Sequence, residues 1–90
     1  MYEVFFSGQF RRDIRLCRKR GFDLSLLVEV VDLLKESGGL PPKYRQHRLS
    51  GKYARYWEAH IQPDWLVVWS QDDTKLTLLF TKTGTHADIF

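Results

Sequence analysis

His60-Ile61-Gln62-Pro63-Asp64-Trp65-Leu66-Val67-Val68-Trp69 is the stretch from which the fold is read. Leu66 to Trp69 is an unbroken apolar run, the pattern of a strand covered on both faces or central in a sheet. Pro63-Asp64 in front of it is turn chemistry. Upstream, Tyr53 to Ile61 alternates irregularly and is rich in aromatic residues, which predicts a strand ending at His60-Ile61. Downstream, Lys75 to Lys82 sets Leu76, Leu78 and Phe80 against Lys75, Thr77 and Thr81, the period-two alternation of a third strand. Gln71-Asp72-Asp73-Thr74 is the hairpin turn between the last two. The tail from Thr83 to Phe90 is short and interrupted by glycine.

The first half reads differently. Tyr2-Glu3-Val4-Phe5-Phe6 is a short aromatic and β-branched strand. Ser7 is placed to cap a helix running to about Arg20, in which Phe10, Ile14 and Cys17 form one apolar stripe with arginines around the rest. Gly21 ends it. Asp23 caps a second helix whose Leu24, Leu27, Val28, Val31 and Leu34 repeat at helical spacing until Gly38-Gly39 stops it. So short a connection makes the two helices an antiparallel or nearly antiparallel hairpin. Leu40-Pro41-Pro42 then opens a loop that excludes helix and runs through Tyr44 and His47 to Ser50-Gly51. Strand, helix, helix, strand, strand, strand is an α+β order. The expectation is one domain over residues 1–90, with the N-terminal strand and helix hairpin packed on an antiparallel sheet whose other face is free to bind.

Ninety residues leave no room for two cores. Hydrophobic residues at 43% and charged residues at 28% exclude disorder. There is no signal-peptide pattern, and no apolar run approaches the roughly 18 residues of a membrane span. The single cysteine, Cys17, has no internal partner and reads as a small buried hydrophobe, which suits a reducing cytoplasm. The formal charge of +3 is modest, but the cations are clustered. Arg11, Arg12, Arg15, Arg18, Lys19 and Arg20 crowd one segment, and Lys43, Arg45, Arg48, Lys52 and Arg55 another. Such asymmetry suits an anionic partner, nucleic acid first. For the first cluster alone, a solvated helix face accounts for the pattern equally well.

All three histidines and all three tryptophans lie in the second half. The residues able to carry chemistry are His47, His60, Asp64 and His86, with Arg55 and Lys82 as neighbouring cations. No P-loop, GxSxG, CxxC or HExxH motif is present. Three histidines and an aspartate are plausible zinc ligands, but their spacing matches no standard pattern. An acid/base set remains. RNA cleavage by its own 2′-hydroxyl needs a group to take that proton, a group to protonate the 5′-oxygen, and a cation near the phosphorane. Histidine suits the first two tasks and Lys or Arg the third, with no metal or other cofactor required. Each residue also has a plain structural reading: a solvated loop histidine, a turn aspartate, tryptophans that pack a core.

Several stretches together carry a resemblance. They are Ser7-Gly8-Gln9-Phe10 followed by a basic helix, Arg18-Lys19-Arg20-Gly21, Leu40-Pro41-Pro42 and His47-Arg48-Leu49-Ser50-Gly51. Glu58-Ala59-His60-Ile61-Gln62-Pro63-Asp64-Trp65 and Thr83-Gly84-Thr85-His86 complete the set. Over nearly its full length the chain resembles the YafQ branch of the RelE-type bacterial toxins. That resemblance implies a microbial-RNase-like α+β fold and a ribosome-dependent mRNA endonuclease, an mRNA interferase cutting in the A site. It implies as partners the 70S ribosome with its 16S rRNA, mRNA, and a cognate antitoxin through which alone operator DNA is reached. It places the toxin in the bacterial cytoplasm. It carries functional roles onto His47, His60, Asp64, Trp65, His86 and Phe90, with Trp65 and Phe90 on the substrate, and gives the basic first helix to ribosomal RNA. One position departs: the family often has arginine before the Thr-Gly-Thr-His tail, where this chain has Lys82. Lysine keeps the charge without the planar two-point grip on phosphate, so Arg55 or Lys52 is expected to share that task. The competing expectation is a module that binds RNA or antitoxin without cutting.

Overall fold

In the computed structural model, which describes residues 1–90, the apolar run lies in the middle of a five-stranded sheet. The strands are β1 (Glu3–Phe6), β2 (His47–Arg48), β3 (Tyr56–Gln62), β4 (Trp65–Asp72) and β5 (Thr77–Gly84), in the order β1-β5-β4-β3-β2. Trp65, Val67 and Trp69 of β4 pack into the main core, while Leu66 and Val68 face a smaller cluster on the opposite side. Burial on both faces is why this strand shows no alternation.

Helices α1 (Gly8–Lys19) and α2 (Leu24–Ser37) contribute Phe10, Cys17, Leu27, Val30 and Leu34 to the main core. The Ser7 side chain accepts from the Phe10 amide and the Asp23 side chain from the Ser25 amide, so both expected caps form. The stripe of α2 is rotated from the expected one: Val30 is fully buried, whereas Val28 is 56% exposed. Asp13 of α1 accepts from the Thr83 amide of β5 at 3.1 Å, fixing that helix against the sheet.

Further expectations are corrected, among them the start of the strand expected from Tyr53, since Gly51–Tyr53 is a 3₁₀ turn and β3 begins at Tyr56. The sheet is mixed, because β1 pairs with β5 in parallel while the other pairs are antiparallel. Parallel pairing is open to β1 because the helices and three strands intervene before β5. His47 lies in a two-residue edge strand rather than a loop. Pro42–Tyr44 forms a 3₁₀ turn, with proline at a first-turn position where its missing N–H costs nothing. Finally, Lys75 and Leu76 belong to the β4–β5 turn, β5 runs on to Gly84, and His86–Ile89 forms a short helix, α3, that the glycine had masked.

Gly38 closes α2 with φ 75°, and a Cβ there would stand 2.6 Å from the Tyr2 hydroxyl. Gly21 has φ 81° but nothing within 4 Å of a built Cβ. Gly38→Ala is therefore expected to lower unfolding stability by about 2 kcal/mol or more, and Gly21→Ala by about 1. Equal losses in urea titrations would show that the Tyr2 contact is immaterial.

Candidate active site

Strand alternation puts Glu58 and His60 of β3 on the same side of the sheet, and antiparallel pairing sets His47 of β2 directly across from Glu58. A register shift between His60 and Gln62 then bends β3 into the Pro63-Asp64 turn. Glu58 is buried, at 5% exposure. Its Oε1 lies 3.2 Å from His47 Nε2 and 4.0 Å from His60 Nε2. His47 Nδ1 is 2.7 Å from the Arg45 carbonyl, to which it donates. With that ring nitrogen committed, an attractive His47–Glu58 contact requires a further proton on one of the two. His60 Nδ1 and Glu58 Oε2 are buried and have no hydrogen-bond partner within the protein. Buried polar atoms are nearly always satisfied, so these two set the Glu58–His60 part of the sheet apart from an ordinary core.

Across from this group, His86 Nδ1 donates to Asp64 Oδ1 at 2.7 Å, and the His86 amide donates to the same oxygen at 3.1 Å. The two bonds hold the Asp64 carboxyl below the usual carboxylate range, the imidazole contact contributing most. They also fix the ring so that Nε2 is the free nitrogen. The His60 ring centroid is 5.9 Å from that of His86 and 6.2 Å from that of His47. The three imidazoles thus form a row, His47–His60–His86, with Glu58 between the first two and Asp64 behind the third.

His86 is the first residue of α3, which is tied down at several points. Thr85 and Asp88 cap it reciprocally, Ile89 is buried with Leu66 and Val68, and Arg20 grips both Asp88 oxygens at 2.5 and 3.1 Å. The Arg20 guanidinium, with help from the Thr85 amide, holds the Asp88 carboxyl at about 2. A depressed folded pKa stabilises above the unfolded value, near ~3.9, and that stabilisation is lost as pH falls toward about 2. The Ile89 methyl resonances are accordingly expected to move toward unfolded positions in that window before those of Val67 do. Simultaneous movement would mean that α3 has no separate acid transition.

Lys82 and Phe90 share one small pocket of about 130 Å³ with Leu49, Tyr53, Tyr56, Val68, Thr81 and Ile89. Phe90 is 58% exposed and meets the Tyr53 ring edge-on. Lys52 lies over that same Tyr53 ring, 5.2 Å from its centroid. Arg55 opens instead on a separate groove with Phe5, Gln71 and Leu79, joined to the Phe90 pocket only through Tyr56. Two expectations fail. Trp65 is 2% exposed and its indole donates to Thr83 Oγ1 at 2.9 Å, so it builds the core and offers no stacking face. Arg20 is engaged by Asp88, which removes it from the free cations of α1; Arg11, Arg12, Arg15, Arg18 and Lys19 remain exposed. Glu58 was not among the expected site residues, although a residue two before His60 on a strand must share its face. No three His, Cys, Asp or Glu side chains converge to hold a metal ion.

Comparison with known proteins gives the family and the fold. The family model described as bacterial toxin of type II toxin–antitoxin system, YafQ, matches residues 2–90. The mRNA interferase toxin YafQ of Escherichia coli K12 is 36% identical over 89 residues, 98% of this chain and 95% of that protein. The toxin in the crystal structure of the E. coli DinJ–YafQ complex superposes with a TM-score of 0.90 at 35% identity, covering 100% of this chain and 99% of that one. A metal-bound toxin from Helicobacter pylori does so with a TM-score of 0.90 at 36% identity, covering 100% of both chains. On a match that spans almost every residue, the chain belongs to the YafQ family of type II toxin–antitoxin toxins.

Proposed function

We propose that this toxin is an mRNA interferase that enters the ribosomal A site and cuts mRNA there through the RNA's own 2′-hydroxyl. The observation that carries this reading is the row of three imidazoles backed by two carboxylates on one side of the sheet. His60 takes the 2′-hydroxyl proton, since Asp64 is already committed to His86 and the buried Glu58 stands ready to stabilise the imidazolium that forms. The 2′-oxygen attacks phosphorus, the bond to the 5′-oxygen breaks, and His86 Nε2 supplies the proton that oxygen needs. The products are a 2′,3′-cyclic phosphate and a 5′-hydroxyl. His86 gives up a ring proton in this step, and Asp64, accepting from Nδ1, holds the imidazole in place as the aspartate of an Asp–His pair does. Positioned groups of this kind contribute about 10²- to 10⁴-fold each.

Charge on the phosphorane is met by His47 when it carries the proton of its contact with Glu58, and by Lys82 from the neighbouring pocket. Phe90, Tyr53 and Tyr56 offer that pocket aromatic walls suited to a base.

A cognate antitoxin neutralises the toxin and helps to repress their shared operon, so operator DNA is reached only through it. A ribosomal target places the protein in the bacterial cytoplasm. Arg11, Arg12, Arg15, Arg18 and Lys19 hold ribosomal RNA by its phosphates. Replacing any one of them with alanine is expected to weaken ribosome binding and to flatten the dependence of log K on log salt by ~0.7–0.9. An unchanged slope would leave that cation a solvated surface charge.

The reading is tested by adding the purified toxin to ribosomes programmed with a defined mRNA, and to the same mRNA alone, and mapping the ends. Cuts inside the A-site codon that need the ribosome support it. Equal cutting of free RNA would overturn ribosome dependence. Ribosome binding without cuts would favour the non-cleaving module, with the lysine at position 82 as the first suspect.

A further inference from the structure

We propose that Arg20, at the C-terminal end of α1, is a positioning residue for His86: by gripping Asp88 it sets α3, and with it the imidazole. The inference rests on the acid role given to His86 above. α3 is four residues long, too short to hold its own geometry. On the His86 side both contacts run to a single oxygen, Asp64 Oδ1. One acceptor atom holds the ring nitrogen at a point but leaves the helix able to pivot about it, within what the burial of Ile89 allows. The second anchor comes two residues later, where the Arg20 fork meets both oxygens of Asp88 and so defines a plane as well as a distance.

That anchor is itself rigid. Arg20 caps α1, its amide donating to the Leu16 carbonyl and the next amide, of Gly21, to the Arg18 carbonyl, and α1 is seated by buried Phe10 and Cys17 and by Asp13 on the Thr83 amide. Asp88 Oδ2 accepts from the Thr85 amide as well, so one carboxylate both caps α3 and ties it to α1. A Cβ at Gly84 would stand 2.7 Å from that oxygen, and glycine leaves the room for Asp88 to fold back. Arg18 and Lys19, beside Arg20 in sequence, have no ion pair and belong to the exposed basic face. A partly exposed ion pair adds little to global stability, so the effect should fall on His86 and not on the unfolding midpoint.

The test compares Arg20→Ala, Asp88→Asn and the double swap Arg20→Asp with Asp88→Arg against Arg18→Ala. Two readouts are taken: single-turnover cleavage on programmed ribosomes over a range of ribosome concentrations, and the imidazole ¹⁵N spectrum of the free toxin. Loss of the anchor should cut the maximal rate on the order of 10- to 100-fold, as small misplacements of a reacting group do. The half-saturating ribosome concentration should change little. Both single variants should shift the His86 ring signals, and the swap should restore part of both rate and spectrum. Arg18→Ala should instead raise the half-saturating concentration and leave the ring signals in place. Arg20→Ala behaving like Arg18→Ala, with Asp88→Asn silent and His86 unmoved, would make Arg20 an RNA-binding cation and overturn the proposal. Should wild type fail to cleave at all, the reaction reading falls, while the ring spectrum alone still decides: shifted His86 signals support the anchor and unshifted ones overturn it.

Discussion

Replacing His86 with alanine is expected to lower the mRNA cleavage rate by about 10²- to 10⁴-fold, the range typical of a lost general acid. The unfolding midpoint should scarcely move, because the His86 side chain is 55% exposed and packs into neither apolar cluster. Ribosome affinity should also hold, since the exposed cations of α1 are untouched. Asp64→Asn should cost less: an amide oxygen can still accept from the His86 amide and ring, only through weaker bonds than a carboxylate makes. The decisive comparison is rate against stability in the same preparations. A His86→Ala toxin that cuts at near wild-type rate would remove His86 from the acid role, whatever its position in the row.

Trp65→Ala is expected to fail for the opposite reason. Trp65 is one of the largest fully enclosed side chains, it meets the Phe22 ring with centroids 4.9 Å apart, and its indole N–H is satisfied by Thr83. Truncation leaves a cavity and takes one of its two hydrogen bonds from the buried Thr83 hydroxyl, which still donates to the Leu66 carbonyl, at a cost of about 3–5 kcal/mol. That is a large share of the roughly 5–15 kcal/mol that holds a small domain together. Trp65→Phe should cost less, since the ring volume is largely kept and chiefly the hydrogen bond is lost. Urea unfolding of both variants checks this. Unchanged stability with impaired cleavage would return Trp65 to the substrate and contradict its place in the core.

The difference between those two residues shows what the sequence could reveal. The strand run at Leu66–Trp69, the caps at Ser7 and Asp23, and the Pro63-Asp64 turn were legible because each depends on neighbours within a few residues. Tertiary pairings were not. Nothing local predicts that Glu3–Phe6 would join the sheet beside β5 in parallel, or that a tail broken by glycine would close into a capped helical turn. The same divide runs through the site. His47, His60, Asp64 and His86 stood out by residue type, and the fold brings them into one row. Glu58 was hidden because a lone glutamate on a strand ordinarily faces solvent; only the pairing of β2 with β3 buries it between two histidines. Arg20 was hidden in a run of like charges, and only the return of the C-terminus to α1 distinguishes it from Arg18 and Lys19.

The most direct test of the central claim, that the RNA's own 2′-hydroxyl is the nucleophile, is cleavage of a ribosome-bound mRNA carrying one 2′-deoxynucleotide on the 5′ side of the A-site scissile bond. The account predicts that this bond stays intact, while the all-ribose message is cut to a 2′,3′-cyclic phosphate and a 5′-hydroxyl. Undiminished cutting of the deoxy-substituted bond would mean that water attacks instead, and would contradict the roles given to His60 and His86.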